Sequence, residues 1–151
     1  MADSKQFCTF YLGGLFFGVE VEKVQEVFRY QEMTDVPLAP SAVCGLINLR
    51  GQIITALDLR CRLEMAPRAE DQFPMNVVVR TEEGVVSLLV DEIGDVLEVP
   101  EEAYERPPDT IEGVTRELIR GVYKLKESLL LILDTEKGVH VDYVGNGVGE
   151  H

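Results

Sequence analysis

The sequence predicts an all-β protein built as a tandem pair of small closed barrels. Three observations lead there. The apolar runs are short and rich in β-branched and aromatic residues; glycine or charged turn residues separate them in pairs; and the second half of the chain repeats the first.

The repeat is read from two blocks. "VEVEKVQEVF", Val19 to Phe28, aligns with "LLVDEIGDVL", Leu88 to Leu97, so that Val21 meets Val90, Glu22 meets Asp91, Val24 meets Ile93, Glu26 meets Asp95 and Val27 meets Val96. "GLINLRGQIITALDLR", Gly45 to Arg60, aligns without a gap with "GVYKLKESLLLILDTE", Gly121 to Glu136. There Gly45 meets Gly121, Arg50 meets Lys126, Leu57 meets Leu133 and Asp58 meets Asp134. The second half carries extra residues between its blocks, in the polar segment "PEEAYERPPDTIEGVTRE", where insertion costs little. The halves are expected at roughly 6–66 and 73–141, joined by the charged, Pro-bearing linker "APRAEDQFP".

Taken in order, "FCTFYL" and "LFFGVEV" form a hairpin across Gly13-Gly14. A short acidic stretch, Glu22–Val27, precedes a strand near Val27–Tyr30. "GLINLR" and "QIITALD" pair across Arg50-Gly51, and Asp58 caps a short helix in "LRCRLEM". After the linker, "NVVVRT" and "VVSLLV" repeat the first hairpin across "EEG". "GVYKLK" and "SLLLILD" repeat the last one across Glu127. Five short strands per half suit a barrel, because closure removes the exposed edges that Val- and Ile-rich strands would otherwise leave. Each half alone is near the lower size limit for a stable core, so the two barrels are expected to share an apolar interface. "VHVDYV" alternates and could add a strand, whereas 142–151 is expected to be a flexible tail.

Charge and composition exclude several functions. Twenty-seven acidic against 14 basic residues give a net charge of −13, and no basic run could release counterions from nucleic acid or dock on an anionic membrane. No apolar run approaches the ~20 residues of a membrane span, and "MADSKQF" has no apolar signal region. Cys8, Cys44 and Cys61 form no metal-binding spacing and read as reduced, partly buried thiols of a cytosolic protein. With only His140 and His151, a histidine-based site has little to draw on. No metal or cofactor is expected.

Arg50-Gly51 interrupts an apolar stretch because it is a turn, where Gly51 supplies positive φ and Arg50 projects from the tip. A solvated turn arginine is one reading. The other is a contact, since a planar fork of donors suits carboxylates and stands out on an acidic surface.

"KVQEV" at Lys23–Val27, "GLINLRGQII" at Gly45–Ile54, "LDLR" at Leu57–Arg60 and "VDEIGDVLEV" at Val90–Val99 together resemble the CheW family of bacterial chemotaxis coupling proteins, over about residues 5–137. The resemblance implies a single CheW-like domain, 1–141, of two SH3-like five-stranded β-barrels. It implies a non-catalytic cytoplasmic adaptor, recruited to membrane-associated chemoreceptor arrays without inserting into the membrane. Its partners would be the regulatory domain of the CheA histidine kinase and the cytoplasmic tip of chemoreceptors. The receptor tip, a helical hairpin, would dock in a groove between the barrels lined by Val24, Gly45, Arg50, Gly51, Ile93 and Val96. The kinase would meet barrel-end loops and strands, which the sequence does not place. Against the groove stands a core reading, stronger for Val27 than for Val24, in which these residues pack between the barrels. Two features depart from the family pattern. Ala56 stands where a proline is usual, and the glycine-bearing "DTEKGVHVDYVGNGVGEH" replaces a long C-terminal helix.

The sequence admits three further readings. Asp58 and Asp134 occupy equivalent positions after apolar strands, as paired carboxylates do in two-lobed aspartic proteases. The Thr/Ser-Gly turn of those enzymes is absent after both, which favours helix caps. A ligand-binding regulatory β-barrel lacks a convergent set of polar residues. An adaptor of a non-flagellar chemosensory pathway would have the same sequence features.

Overall fold

The computed structural model describes residues 4–139. The chain forms β1 (Ser4–Leu12), β2 (Leu15–Glu20), a first 3-10 turn at Val21–Lys23 (a second lies at Glu101–Ala103), β3 (Val24–Phe28), β4 (Val43–Leu49), β5 (Gln52–Asp58) and α1 (Leu59–Arg62). It continues through β6 (Met75–Thr81), β7 (Gly84–Val90), β8 (Glu92–Pro100), β9 (Tyr104–Glu105), α2 (Gly113–Leu118), β10 (Ile119–Lys124), β11 (Leu129–Leu133) and α3 (Thr135–Val139). The strands make two sheets, ordered β8-β1-β2-β11-β10-β9 and β3-β6-β7-β5-β4.

Neither sheet is built from one of the expected halves, 6–66 and 73–141, alone. Each sheet takes the opening hairpin of one repeat and the later strands of the other. The exchange leaves a signature in strand direction. β2 pairs with β11 in parallel, Phe17 opposite Leu131, and β7 pairs with β5 in parallel, Leu57 opposite Leu88, whereas the hairpins are antiparallel. Hydrophobic alternation cannot reveal this, because each hairpin offers the same faces to either sheet.

The exchange explains the unbroken apolar runs. In β6, Val77 and Val79 enter a central cluster while Val78, between them, joins Phe28, Leu49, Ile54 and Val85 inside its own sheet's curl. In β11, Leu131 and Leu133 face the central cluster, and Leu130 and Ile132 pack with Phe7, Val99 and Tyr123. Strands covered on both faces have no solvent side to make polar. The central cluster draws on both sheets, including Phe10, Leu12, Phe17 and Val19 from one and Leu57, Val77, Leu88 and Val90 from the other, so the expected shared apolar core is present. Burial of each such large side chain contributes about 1.5–3 kcal/mol.

Other expectations change in detail. β3 begins at Val24, inside the stretch read as a short acidic connection, because Val24 and Glu26 to Phe28 pair with β6 around a bulge at Gln25. The second repeat carries its bulge at the equivalent place, Gly94-Asp95 opposite β1. Inserted residues form β9 and α2. Cys44 is exposed rather than partly buried. The strand expected at "VHVDYV" and the tail 142–151 lie outside the described residues, save Val139, which ends α3.

Candidate functional site

The β4-β5 turn is built by its sequence. Arg50 and Gly51 both take positive φ, 51° and 89°, the pattern of a two-residue hairpin whose twist matches its strands. Asn48 Oδ1 accepts the Gly51 N–H at 2.9 Å. Gly51 adopts this conformation without strain; Arg50 does so at a cost of about 1 kcal/mol. The Arg50 side chain is 70% exposed, and its guanidinium pairs with the Glu26 carboxylate of β3. β3 and β4 are the two ends of their sheet, so an ion pair from β3 to the turn that directly follows β4 shows that the sheet curls back on itself. Arg50 is therefore neither a free turn residue nor buried. It fastens the hairpin tip to the strand that carries Val24 and Val27.

The valines divide in the opposite sense to the core reading. Val24 packs against the central cluster, while Val27 is 42% exposed. Their equivalents do likewise, Ile93 packing on the same cluster from the other sheet and Val96 standing 56% exposed. β3 and β8 are end strands of different sheets, and each starts where the chain crosses from one sheet to the other. Val24 and Ile93 thus meet a common core from opposite sides, with an exposed valine three residues further along each strand. Gly45 belongs elsewhere. It is buried, and an added Cβ would lie 2.8 Å from Met33 Cβ and from the Thr34 carbonyl oxygen, where residues 33–34 run along β4. Its part is to admit that segment, as Gly121 admits the Tyr104 ring; it does not line an open surface.

Spacing in the sequence did not reveal a charged junction at the root of β8. Asp91 of the "VDEIGDV" motif accepts from Arg60 of "LDLR" through both oxygens, Nε to Oδ1 at 2.8 Å and Nη2 to Oδ2 at 2.6 Å. It also accepts from Arg68 Nε at 2.9 Å and from the Gly13 N–H at 2.8 Å. Burial pushes the Asp91 carboxyl up, but the hydrogen bonds from Arg60 and Gly13 and the two guanidinium charges outweigh it, and the group ends below the usual carboxylate range. Two motifs 31 residues apart in sequence meet here, and no local signal in either names its partner. Asp58 is also engaged, accepting from the Arg60 N–H at 3.0 Å as the cap of α1 and from Arg68 Nη1 at 3.0 Å through each oxygen. Asp134 accepts from the Lys137 N–H at 3.2 Å, capping α3. The caps expected for the two aspartates are both made.

One cavity of about 650 Å³ lies among Arg62, Glu82, Glu83, Glu117, Leu118, Glu136 and Lys137, a wide, charged basin. Among the described residues no helix is long and apolar enough to cross a membrane.

Comparison with known proteins agrees with this architecture. The chain is 32% identical over 136 residues to the chemotaxis protein CheW of Treponema pallidum, covering 87% of this chain and 80% of that protein. It is 30% identical over 133 residues to the chemotaxis protein CheW of Klebsiella aerogenes, covering 88% and 80%. Its fold superposes on the crystal structure of the scaffolding protein TtCheW from Thermoanaerobacter tengcongensis with a TM-score of 0.83 and 25% identity, covering 95% of this chain and 96% of that one. The fold is the all-β one expected, two SH3-like subdomains around a shared apolar core. The pattern of the CheW-like domain matches residues 6–142, nearly the whole of the described chain, and the protein belongs to the family of CheW-like domains.

Proposed function

We propose that this protein is a non-catalytic chemotaxis adaptor that couples the cytoplasmic tip of a chemoreceptor to the regulatory domain of the CheA histidine kinase, acting in the cytoplasm at receptor arrays. The chemotaxis role is supported by family membership and by relatives named for that process. The observation that carries the receptor reading is the pairing of two equivalent edge strands, β3 and β8. Each presents a core-packed aliphatic residue, Val24 or Ile93, followed by an exposed one, Val27 or Val96. A helical hairpin with an apolar stripe would lie between two such edges, and Arg50 with Gly51 would meet its polar flank.

Replacement of Arg50 by glutamate tests the reading. It sets two carboxylates against each other at Glu26 and removes the only cation at the tip of this hairpin. Capture of a receptor-tip fragment should fall about tenfold or more, while capture of the kinase regulatory domain and the folded circular dichroism spectrum stay unchanged. Equal capture of receptor tip by both proteins would remove Arg50 from the contact.

A further inference from the structure

The two crossovers between the sheets are built unequally. At the β7-to-β8 crossover, the Asp91 side chain is only 9% exposed and is gripped by Arg60 and Arg68, while its N–H donates to the Tyr11 carbonyl at 3.1 Å. Arg68, 7% exposed, comes from the linker and is fixed in turn by Asp58 and by the Leu89 carbonyl at 3.2 Å. Arg60 Nη1 holds the linker again, donating to the Ala66 carbonyl at 2.7 Å. The linker, α1, the β1-β2 turn and the start of β8 therefore converge on one carboxylate. At the β2-to-β3 crossover the equivalent residue is Glu22, which is exposed; Arg80 reaches only its carbonyl, at 3.1 Å. The equivalent of Arg60 is Glu136, which accepts from the Glu82 N–H at 3.2 Å. The guanidinium-carboxylate pair at that crossover is a single bond from Arg120 Nη1 to Glu20 Oε1 at 3.1 Å, at its β2 end and with Arg120 half exposed; among the described residues no guanidinium reaches the Glu22 carboxylate.

We infer that Asp91, held by Arg60 and Arg68, is a positioning residue that fixes the β8 wall of the receptor groove, leaving β3 as the wall that yields. The inference rests on the groove reading given above. Asp91 stands two residues before Ile93 and five before Val96, with the Gly94-Asp95 bulge between them. An end strand is hydrogen-bonded on one side only, so its direction depends on how its root is held. Charge-assisted bonds from two planar guanidinium groups, the one from Arg60 bidentate and the one from Arg68 single, define that root in angle as well as distance. The β3 wall has instead the exposed pair between Arg50 and Glu26, which water and salt weaken. A groove with one fixed and one compliant wall presents Ile93 and Val96 in register before the partner arrives, so less ordering accompanies binding.

The test compares the full chain with Asp91→Asn, Arg68→Gln and Arg68→Lys. Arg68→Gln leaves the Asp91–Arg60 pair intact and covers the case in which Asp91→Asn fails to fold. Amide hydrogen exchange is read over Ile93–Leu97 and over Val24–Phe28, and affinities are measured for a receptor-tip helical hairpin and for the kinase regulatory domain. In Arg68→Gln the β8 amides should exchange about tenfold faster with β3 unchanged. Receptor affinity should fall several-fold, kinase affinity should hold, and Arg68→Lys should recover part of both losses. Equal acceleration in both strands, or faster β8 exchange with undiminished receptor affinity, overturns the positioning role. Val96→Glu serves as the control for the groove itself. If it leaves receptor binding intact, the groove reading has failed, and the positioning role in binding falls with it for a different and identifiable reason.

Discussion

At Gly94 the backbone of β8 passes so close to β1 that an added Cβ would lie 2.5 Å from Thr9 Oγ1. Thr9 is buried and donates to the Asp95 carbonyl at 2.5 Å, so it cannot simply turn away. Gly51, by contrast, has open space around it and is constrained only by its φ of 89°. Two Gly→Ala replacements should therefore destabilise for different reasons. Gly94→Ala should cost roughly 1–3 kcal/mol through overpacking, with loss of the Thr9 bond. Gly51→Ala should cost about 1 kcal/mol through backbone strain. Urea unfolding read by circular dichroism separates them, because combining Gly94→Ala with Thr9→Ala, which removes the crowding hydroxyl, should relieve the first and leave the second unaltered. No such relief would mean that steric crowding is not what requires glycine at 94. The sequence marked Gly51 as a turn glycine from its neighbours alone. It could not mark Gly94, whose constraint comes from a residue 85 positions away.

Among the elements, β3 and β8 carry the functional reading, and they were partly legible. Aligning the repeats pairs Val24 with Ile93 and Val27 with Val96, and each pair does share an environment. Which member packs inward was not legible. The bulges at Gln25 and Gly94-Asp95 shift the alternation within each strand, and a bulge is set by the partner strand. The consequence is a split between stability and binding. Val24→Glu forces a charge against the central cluster and should lower stability by roughly 2–3 kcal/mol. Val96→Glu, on an exposed position, should change stability by no more than about 0.5 kcal/mol yet abolish receptor-tip capture. Thermal melts beside pull-downs distinguish the two. A Val96→Glu protein that melts far below the wild type, or that still captures the receptor tip, would contradict the assignment. Gly45 shows the limit of carrying positions over from a family likeness. The motif was recognised, but the burial of this residue under Met33 and Thr34 depends on a loop whose path no periodicity describes.

For the whole molecule, the central fact is the exchange of hairpins between repeats. Composition, strand count and the duplicated blocks sufficed to predict two small β-barrels with a shared core. They were silent on which hairpin completes which barrel, since that choice is made by the crossovers at Val21–Lys23 and Asp91 and not by local pattern. Because each sheet needs strands from both repeats, neither 1–72 nor 73–151 should fold alone, whereas the two fragments mixed should regain dispersed amide resonances and a cooperative melt. A folded, monomeric half would show that the exchange is not required. The same exchange sets the end strands of the two sheets around one core, and the proposed receptor groove rests on that arrangement. The most direct test is to titrate the isotope-labelled full chain with a receptor-tip helical hairpin and map the amide shifts. The account predicts that the largest changes fall on Val24–Phe28, on Ile93–Leu97 and on Arg50-Gly51, with Gly45 moving little. Shifts confined to other surfaces, with β3 and β8 unperturbed at saturation, would contradict it.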